Sequence, residues 1–176
     1  MKKSISFVAA ALFAVSIVPA FAAADAKKIA LVKAGKITEA KASWWGFDAK
    51  DSTKALQSAL NSGAKTVIVE NMKSDWIVDS IKVPSNVHII FEDGVELVAK
   101  KGSFIRPSAN LMHFINCSNV TLSGKATLKM HKADYLKAPY AKSEHRHALN
   151  FYGCHNFTIE GLTVSGSGGD GIYIGQ

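Results

Sequence analysis

Two segments of this 176-residue chain, FINCSNVTLSG (114–124) and FYGCHNFTIEG (151–161), carry Phe, Cys, Asn, Thr and Gly at the same five places. Each also has an aliphatic residue, Leu122 or Ile159, shortly before the glycine. A weaker copy, VPSNVHIIFEDG (83–94), sets Asn86 where the later segments have Asn119 and Asn156. Sliding HALNFYG (147–153) forward onto DGIYIGQ (170–176) brings Leu149 and Phe151 onto Ile172 and Ile174. Self-similarity at this period constrains the fold more than any other feature of the chain. A unit of about two dozen residues cannot bury an apolar face alone, and does so by stacking on its neighbours.

The segments that repeat read as strands. From Lys65 onward the chain is a succession of short Val-, Ile-, Thr- and Phe-rich runs punctuated by Asn, Gly, Asp and Ser, with no helical pattern between them. That excludes a doubly wound α/β sheet and predicts an all-β solenoid. The longer intervals carry their excess at KKGSFIRPSA and HKADYLKAPYAKSEHR, which read as loops inserted on one side. Asn86, Asn119 and Asn156 fall at one phase and predict an amide ladder, one rung about 4.8 Å from the next. That ladder is preferred over glycosylation for the N-x-[ST] triplets at Asn116, Asn119 and Asn156. Cys117 and Cys154 share a column too. Stacked buried thiols are the simpler reading, while an exporting compartment also permits a bond.

The beginning of the chain is different in kind. MKKSISFVAAALFAVSIVPAFA has a basic start, an apolar middle and small residues at Ala20 and Ala22, so residues 1–22 read as a secretory signal peptide cleaved after Ala22 or Ala24. Pro19 and the short apolar run argue against a membrane anchor, and a secreted or periplasmic protein with no stable membrane insertion is expected. Residues 23–43, rich in Ala and Lys, read as a flexible leader. In 44–176, Asp51 or Ser52 can cap a helix with the stripe Ala55, Leu56, Ala59 and Leu60, and Gly63 can stop it. The chain has 21 Lys and Arg against 14 Asp and Glu, a formal +7, and loss of Lys2 and Lys3 with the signal peptide lowers this to +5. A basic exported chain suits an acidic partner such as a polyuronate, yet the lysines are dispersed, which favours a solvated surface and gives no sign of nucleic-acid binding.

The Trp-Gly-Phe-Asp lead at 45–48, the helix segment DSTKALQSALNSGAKTVIV, the stretch VDSIKVPSNVHIIFEDGVELVA and the N-V-T-L-x-G repeats together resemble the N-terminal part of the pectate-lyase-like right-handed parallel β-helix superfamily. Within it the chain is most similar to the polygalacturonase-like glycoside hydrolases, over roughly residues 44–176. The resemblance implies a single-stranded right-handed parallel β-helix with a short N-terminal capping α-helix, and an activity on an acidic or pectin-like glycan. Its motifs are architectural and shared by hydrolases, lyases and non-catalytic β-helical scaffolds, so a glycan-binding or surface protein and a polysaccharide lyase stand as alternatives. The family's Asn-Thr-Asp-Gly-Ile-Asp motif is met at 168–173 only by Asp170, Gly171 and Ile172; Gly168-Gly169 and Tyr173 replace the rest. Inverting hydrolysis needs two carboxylates about 6.5–9.5 Å apart, and no rung follows Asp170 to bring the second. The expectation is therefore a chain truncated at its C-terminal end, with possible end-to-end self-association through the open last rung.

Asp170 is the candidate catalytic residue; its alternative is a turn aspartate that accepts backbone N–H groups. Strand alternation turns His113, Asn150 and Tyr173 outward in one column, a mixture of ring and hydrogen-bonding groups suited to sugar. The shift that carries Leu149 onto Ile172 sets His147 beneath Asp170, and Arg146 has the fork to bind a uronate carboxylate. Glu92, Asp93 and Glu96 are the residues to weigh as calcium ligands, yet Asp93-Gly94 is an ordinary turn, and neither a metal nor a cofactor is expected.

Overall fold

A computed structural model describes residues 21–176, and residues 1–20, which hold nearly all of the signal-peptide reading, lie outside the described residues. Phe21–Ala22 (β1) pairs antiparallel with Phe47–Asp48 (β3). The segment read as a leader contains a helix, α1 (Ala26–Lys33), and a strand, β2 (Glu39–Lys41). Asp25 caps α1 by accepting from the Lys28 amide. The helix escaped sequence reading because only Val32 on it is buried, which leaves almost no periodic apolar signal.

After a 3-10 turn at Ala42–Trp45, α2 (Thr53–Leu60) buries Ala55, Leu56, Ala59 and Leu60 as expected. The cap is divided between the two candidates. Ser52 occupies the N-cap position, but its hydroxyl donates to the Asp48 carbonyl, and the Asp51 carboxylate takes the Thr53 amide.

All later strands pair in parallel. They are β4 (Thr66–Val69), β5 (Trp76–Val78), β6 (Ile81–Lys82), β7 (Val87–Phe91), β8 (Glu96–Ala99), β9 (Met112–Ile115), β10 (Ser118–Gly124), β11 (Thr127–Lys129), β12 (Leu149–Tyr152), β13 (His155–Glu160), β14 (Thr163–Ser165) and β15 (Ile172–Gly175). From β4 on, the chain visits three sheets in rotation. The first is ordered β2-β4-β7-β10-β13, the second β5-β8-β11-β14 and the third β6-β9-β12-β15. We call the third sheet D.

Register reproduces the sequence offsets. Val120 pairs with Val87 on one side and Phe157 on the other, in step with Asn86, Asn119 and Asn156, and Leu149 pairs with Ile172. Like residues therefore stack on like. Val67, Ile89 and Leu122 form one buried column, Trp76, Leu97 and Leu128 a second, and Ile81, Met112 and Leu149 a third. Phe114 and Phe151 stack with ring centroids 4.1 Å apart, and Phe157 continues the pile at 4.3 Å from Phe151. Ile172 and Ile174 keep this inward register, yet they are exposed because β15 is the outermost strand of sheet D.

The asparagine ladder is present. The Asn119 amide donates to Asn86 Oδ1 at 2.8 Å, and Asn156 donates to Asn119 Oδ1. All three asparagines also have left-handed backbones, with φ of 61°, 56° and 55°. Asparagine tolerates that conformation better than other residues with a Cβ, which supplies a second reason for its return at this phase.

At the opposite edge of sheet D, Gln57 of α2 receives the Lys82 amide on Oε1 and donates Nε2 to the Lys82 carbonyl, both at 2.8 Å. One side chain thus satisfies both backbone groups of an edge-strand residue, which blunts the edge.

Candidate functional site

The outward column on sheet D forms as its alternation requires. Lys82 pairs with His113, His113 with Asn150, and Asn150 with Tyr173. His113 and Asn150 are half-buried and Tyr173 is exposed. Burial pushes the His113 imidazole below its ordinary value, and Lys82 adds to the shift; Nε2 of the neutral ring accepts the Asn110 amide at 3.4 Å, which leaves Nδ1–H as the donor. His113 also borders two clefts on this face. One, of about 610 Å3, includes Asp79, Ser80, Ser103 and Arg106; the other, of about 380 Å3, includes Ser80, Lys82 and Ile115.

A second column runs three residues upstream. Extending the same register by two positions aligns Asp79, Asn110, His147 and Asp170. Asn110 is buried, and its Oδ1 accepts the His147 amide at 2.6 Å. Sequence reading missed Asn110, although the shift that carries Phe114 onto Phe151 also carries Asn110 onto His147.

The register does set His147 beneath Asp170, but their contact is not the acid/base pair that residue types alone suggest. His147 Nδ1 accepts the Asp170 backbone amide at 3.0 Å. That nitrogen therefore carries its lone pair, and the proton sits on Nε2. Burial pushes His147 below its ordinary value; Asp170 pulls it upward by less, and His145 adds to the lowering. Asp170 Oδ2 lies 3.5 Å from Nδ1, where a neutral imidazole of this tautomer has no hydrogen to give it. The His147 ring is almost fully buried and the Asp170 side chain is 65% exposed, so the histidine fixes the backbone from which a free carboxylate projects. Tyr173 stacks on that histidine with centroids 4.7 Å apart and planes 11° from parallel, joining the two columns.

Arg146 overturns one expectation. It is fully buried and cannot reach a ligand lying on the sheet face. Its Nε donates to the Phe104 carbonyl at 2.8 Å, and its Nη2 to the carbonyls of Ala141 at 2.8 Å and Arg106 at 3.2 Å. The guanidinium ties the loop at 100–109 to the loop at 131–146, the two insertions that the repeat lengths revealed. Nothing local in SEHRH marks Arg146 as the buried member, because three of its four carbonyl acceptors come from the earlier of these loops.

Glu92 and Asp93 serve the turn between β7 and β8. The Glu92 carboxylate accepts the Asn71 amide, and the Asp93 carbonyl accepts from the Asn71 side chain. Glu96 faces Lys129 at 3.4 Å. Cys117 and Cys154 are free thiols with sulfurs 3.2 Å apart. Among the described residues no helix is long and apolar enough to cross a membrane. Comparison of the chain with models of protein families, with curated proteins and with solved structures finds no match in any of the three.

Proposed function

We propose that this chain is an exported, right-handed parallel β-helix of the polygalacturonase-like kind, and that the outer face of sheet D binds an acidic, pectin-like glycan. The observation that carries the reading is the in-register column of Lys82, His113, Asn150 and Tyr173. Strands in a sheet lie about 4.8 Å apart, so a glycan laid across them meets one side chain per strand. The column offers it a cation, hydrogen-bonding groups and an aromatic face, the combination that a charged sugar requires.

On this reading Asp170 is the carboxylate that a hydrolase would use, and it needs a second one about 6.5–9.5 Å away. Binding without catalysis is a second reading, favoured by one observation: the His147 nitrogen nearest Asp170 is already occupied by a backbone amide.

Titration of the full chain with trigalacturonate, followed by NMR, tests the site. Shifts centred on His113, Asn150 and Tyr173, absent with maltotriose and lost in the H113A/N150A/Y173A variant, are expected. Equal shifts with the neutral sugar, or none at these residues, refute the reading. Reducing ends released from polygalacturonate by the wild type but not by D170N favour hydrolysis, and binding without release favours the second reading.

A further inference from the structure

Arg146 is a buried cation to which the described residues bring no anion. Its hydrogen-bond partners are the carbonyls of Phe104, Ile105, Arg106 and Ala141, and it belongs to no ion pair among the described residues. Its Nη1 is buried without a hydrogen-bond partner. Buried charges are ordinarily paired, because desolvation of an unpaired one is costly. A second orphan lies against it. The Tyr135 ring sits 4.7 Å from the guanidinium, Tyr135 is itself 4% exposed, and its hydroxyl has no partner. Burial pushes this phenol upward, so it stays protonated, with a donor that no group uses. Two buried groups in contact are thus left with donors and no acceptor, while every other buried side-chain nitrogen and oxygen among the described residues has a partner.

Tyr135 also walls a cleft of about 690 Å3 in the second inserted loop, within the range of about 300–1,000 Å3 usual for small-molecule sites. Lys132, Lys137 and Lys142 line it, none of them in an ion pair among the described residues, and Glu144 is its sole acidic side chain. Tyr140, half-buried on the same wall, meets Tyr135 edge to face. Gly168 admits no side chain here, since a Cβ would come within 2.8 Å of the Tyr135 ring. The cleft therefore combines positive charge and aromatic surface, with an unpaired guanidinium packed behind the Tyr135 ring.

We propose that this loop cleft is a second saccharide site, which takes an oxyanion borne on a sugar ring, either a uronate carboxylate or a sulfate ester. The lysines draw the anion in and pair with it, the Tyr135 and Tyr140 rings flank the sugar, and the field of Arg146 behind that wall is compensated when it binds. The site abuts the sheet-D column through His145, which lines the cleft and lies 6.1 Å from the His147 ring. It stands on separate residues, so the two readings fail separately.

Calorimetric titration of the full chain with trigalacturonate, a sulfated disaccharide, maltotriose and sodium sulfate tests the assignment. Binding of one or both acidic sugars, with maltotriose and sodium sulfate at least tenfold weaker, is expected, and the tighter of the two identifies the group. The K132A/K137A/K142A variant should weaken that binding roughly tenfold, as loss of three exposed charges implies. Y135F, which removes only the sealed and orphaned hydroxyl, should raise the melting temperature of the free protein and leave binding within about twofold. The three lysines are exposed, so the lysine variant should keep the wild-type melting temperature, and a folding defect cannot imitate its loss of binding. Binding unchanged in the lysine variant, or equal affinity for maltotriose or for sulfate alone, overturns the proposal. If H113A/N150A/Y173A abolishes all binding while the lysine variant does not, this inference falls and the sheet-face reading stands.

Discussion

Replacing Asn119 separates the two reasons for asparagine in the ladder. Its side chain donates to Asn86 and accepts from Asn156, and its backbone sits at φ 56°. Both ladder bonds are exposed, so each contributes about 0.5–1 kcal/mol net, the lower part of the usual range. Alanine at this position loses both bonds and also sets its Cβ in a left-handed backbone at a cost of about 1 kcal/mol. Asn119→Ala should therefore lose about 2–3 kcal/mol. Asn119→Gly loses the same bonds without the steric penalty, and should lose about 1–2 kcal/mol. Urea unfolding with an unchanged slope measures both, since a shifted midpoint at constant slope reports stability alone. A glycine variant less stable than the alanine variant refutes the backbone argument. An alanine variant within about 0.5 kcal/mol of the wild type, the least a single bond should contribute, refutes the ladder.

Phe151 is buried between Phe114 and Phe157, and Phe151→Ala should cost about 3–5 kcal/mol in the same assay; a loss below about 1 kcal/mol would show that the pile contributes little. His113 and His147 are both held below their ordinary value of 6.5, so the unfolded chain takes up protons first as pH falls. Their contribution is complete above about pH 6.5 and is lost as pH falls through the folded values. Urea midpoints should decline from pH 7 to pH 5, less steeply in His147→Gln; a midpoint that rises over this interval contradicts the assignment. Burial pushes the Cys117 thiol up to about 12, with the hydrogen bond to Cys154 adding to it. Iodoacetamide at pH 8 should label Cys154 in the folded protein and Cys117 only after unfolding, as read by peptide mass spectrometry. Equal labelling rates would place Cys117 in a more open setting.

What can be read in advance is whatever repeats. Phe114 with Phe151, Asn119 with Asn156 and Leu149 with Ile172 define the register from the chain alone, because parallel stacking turns a sequence offset into a spatial neighbour. The outward column of His113, Asn150 and Tyr173 follows from the same offsets and strand alternation. What does not repeat is not legible. Helix α1 buries one residue, so its Ala- and Lys-rich sequence reads as structureless. Arg146 reads as a ligand-binding cation because the carbonyls that receive it belong to residues 104–106 and 141, whose convergence depends on how two loops fold over one another. The role of His147 depends on which atom of Asp170 reaches it. A residue offset aligns positions and leaves open whether backbone or carboxylate makes the contact.

Strand pairing holds its register across a short interval, as from Thr66 to His88, and across a long one, as from Met112 to Leu149. The surplus leaves at two points and returns without disturbing the columns. Lengthening a flexible loop costs little, about 0.6 kcal/mol for each doubling, so these points behave as ports at which chain can be exchanged while the wound strands stay fixed. A different segment in place of the exposed residues 136–139 should leave urea stability nearly unchanged while altering which sugar is retained. The division of labour is then spatial: the invariant circuit supplies rigidity, and the segments that break its period are free to diversify.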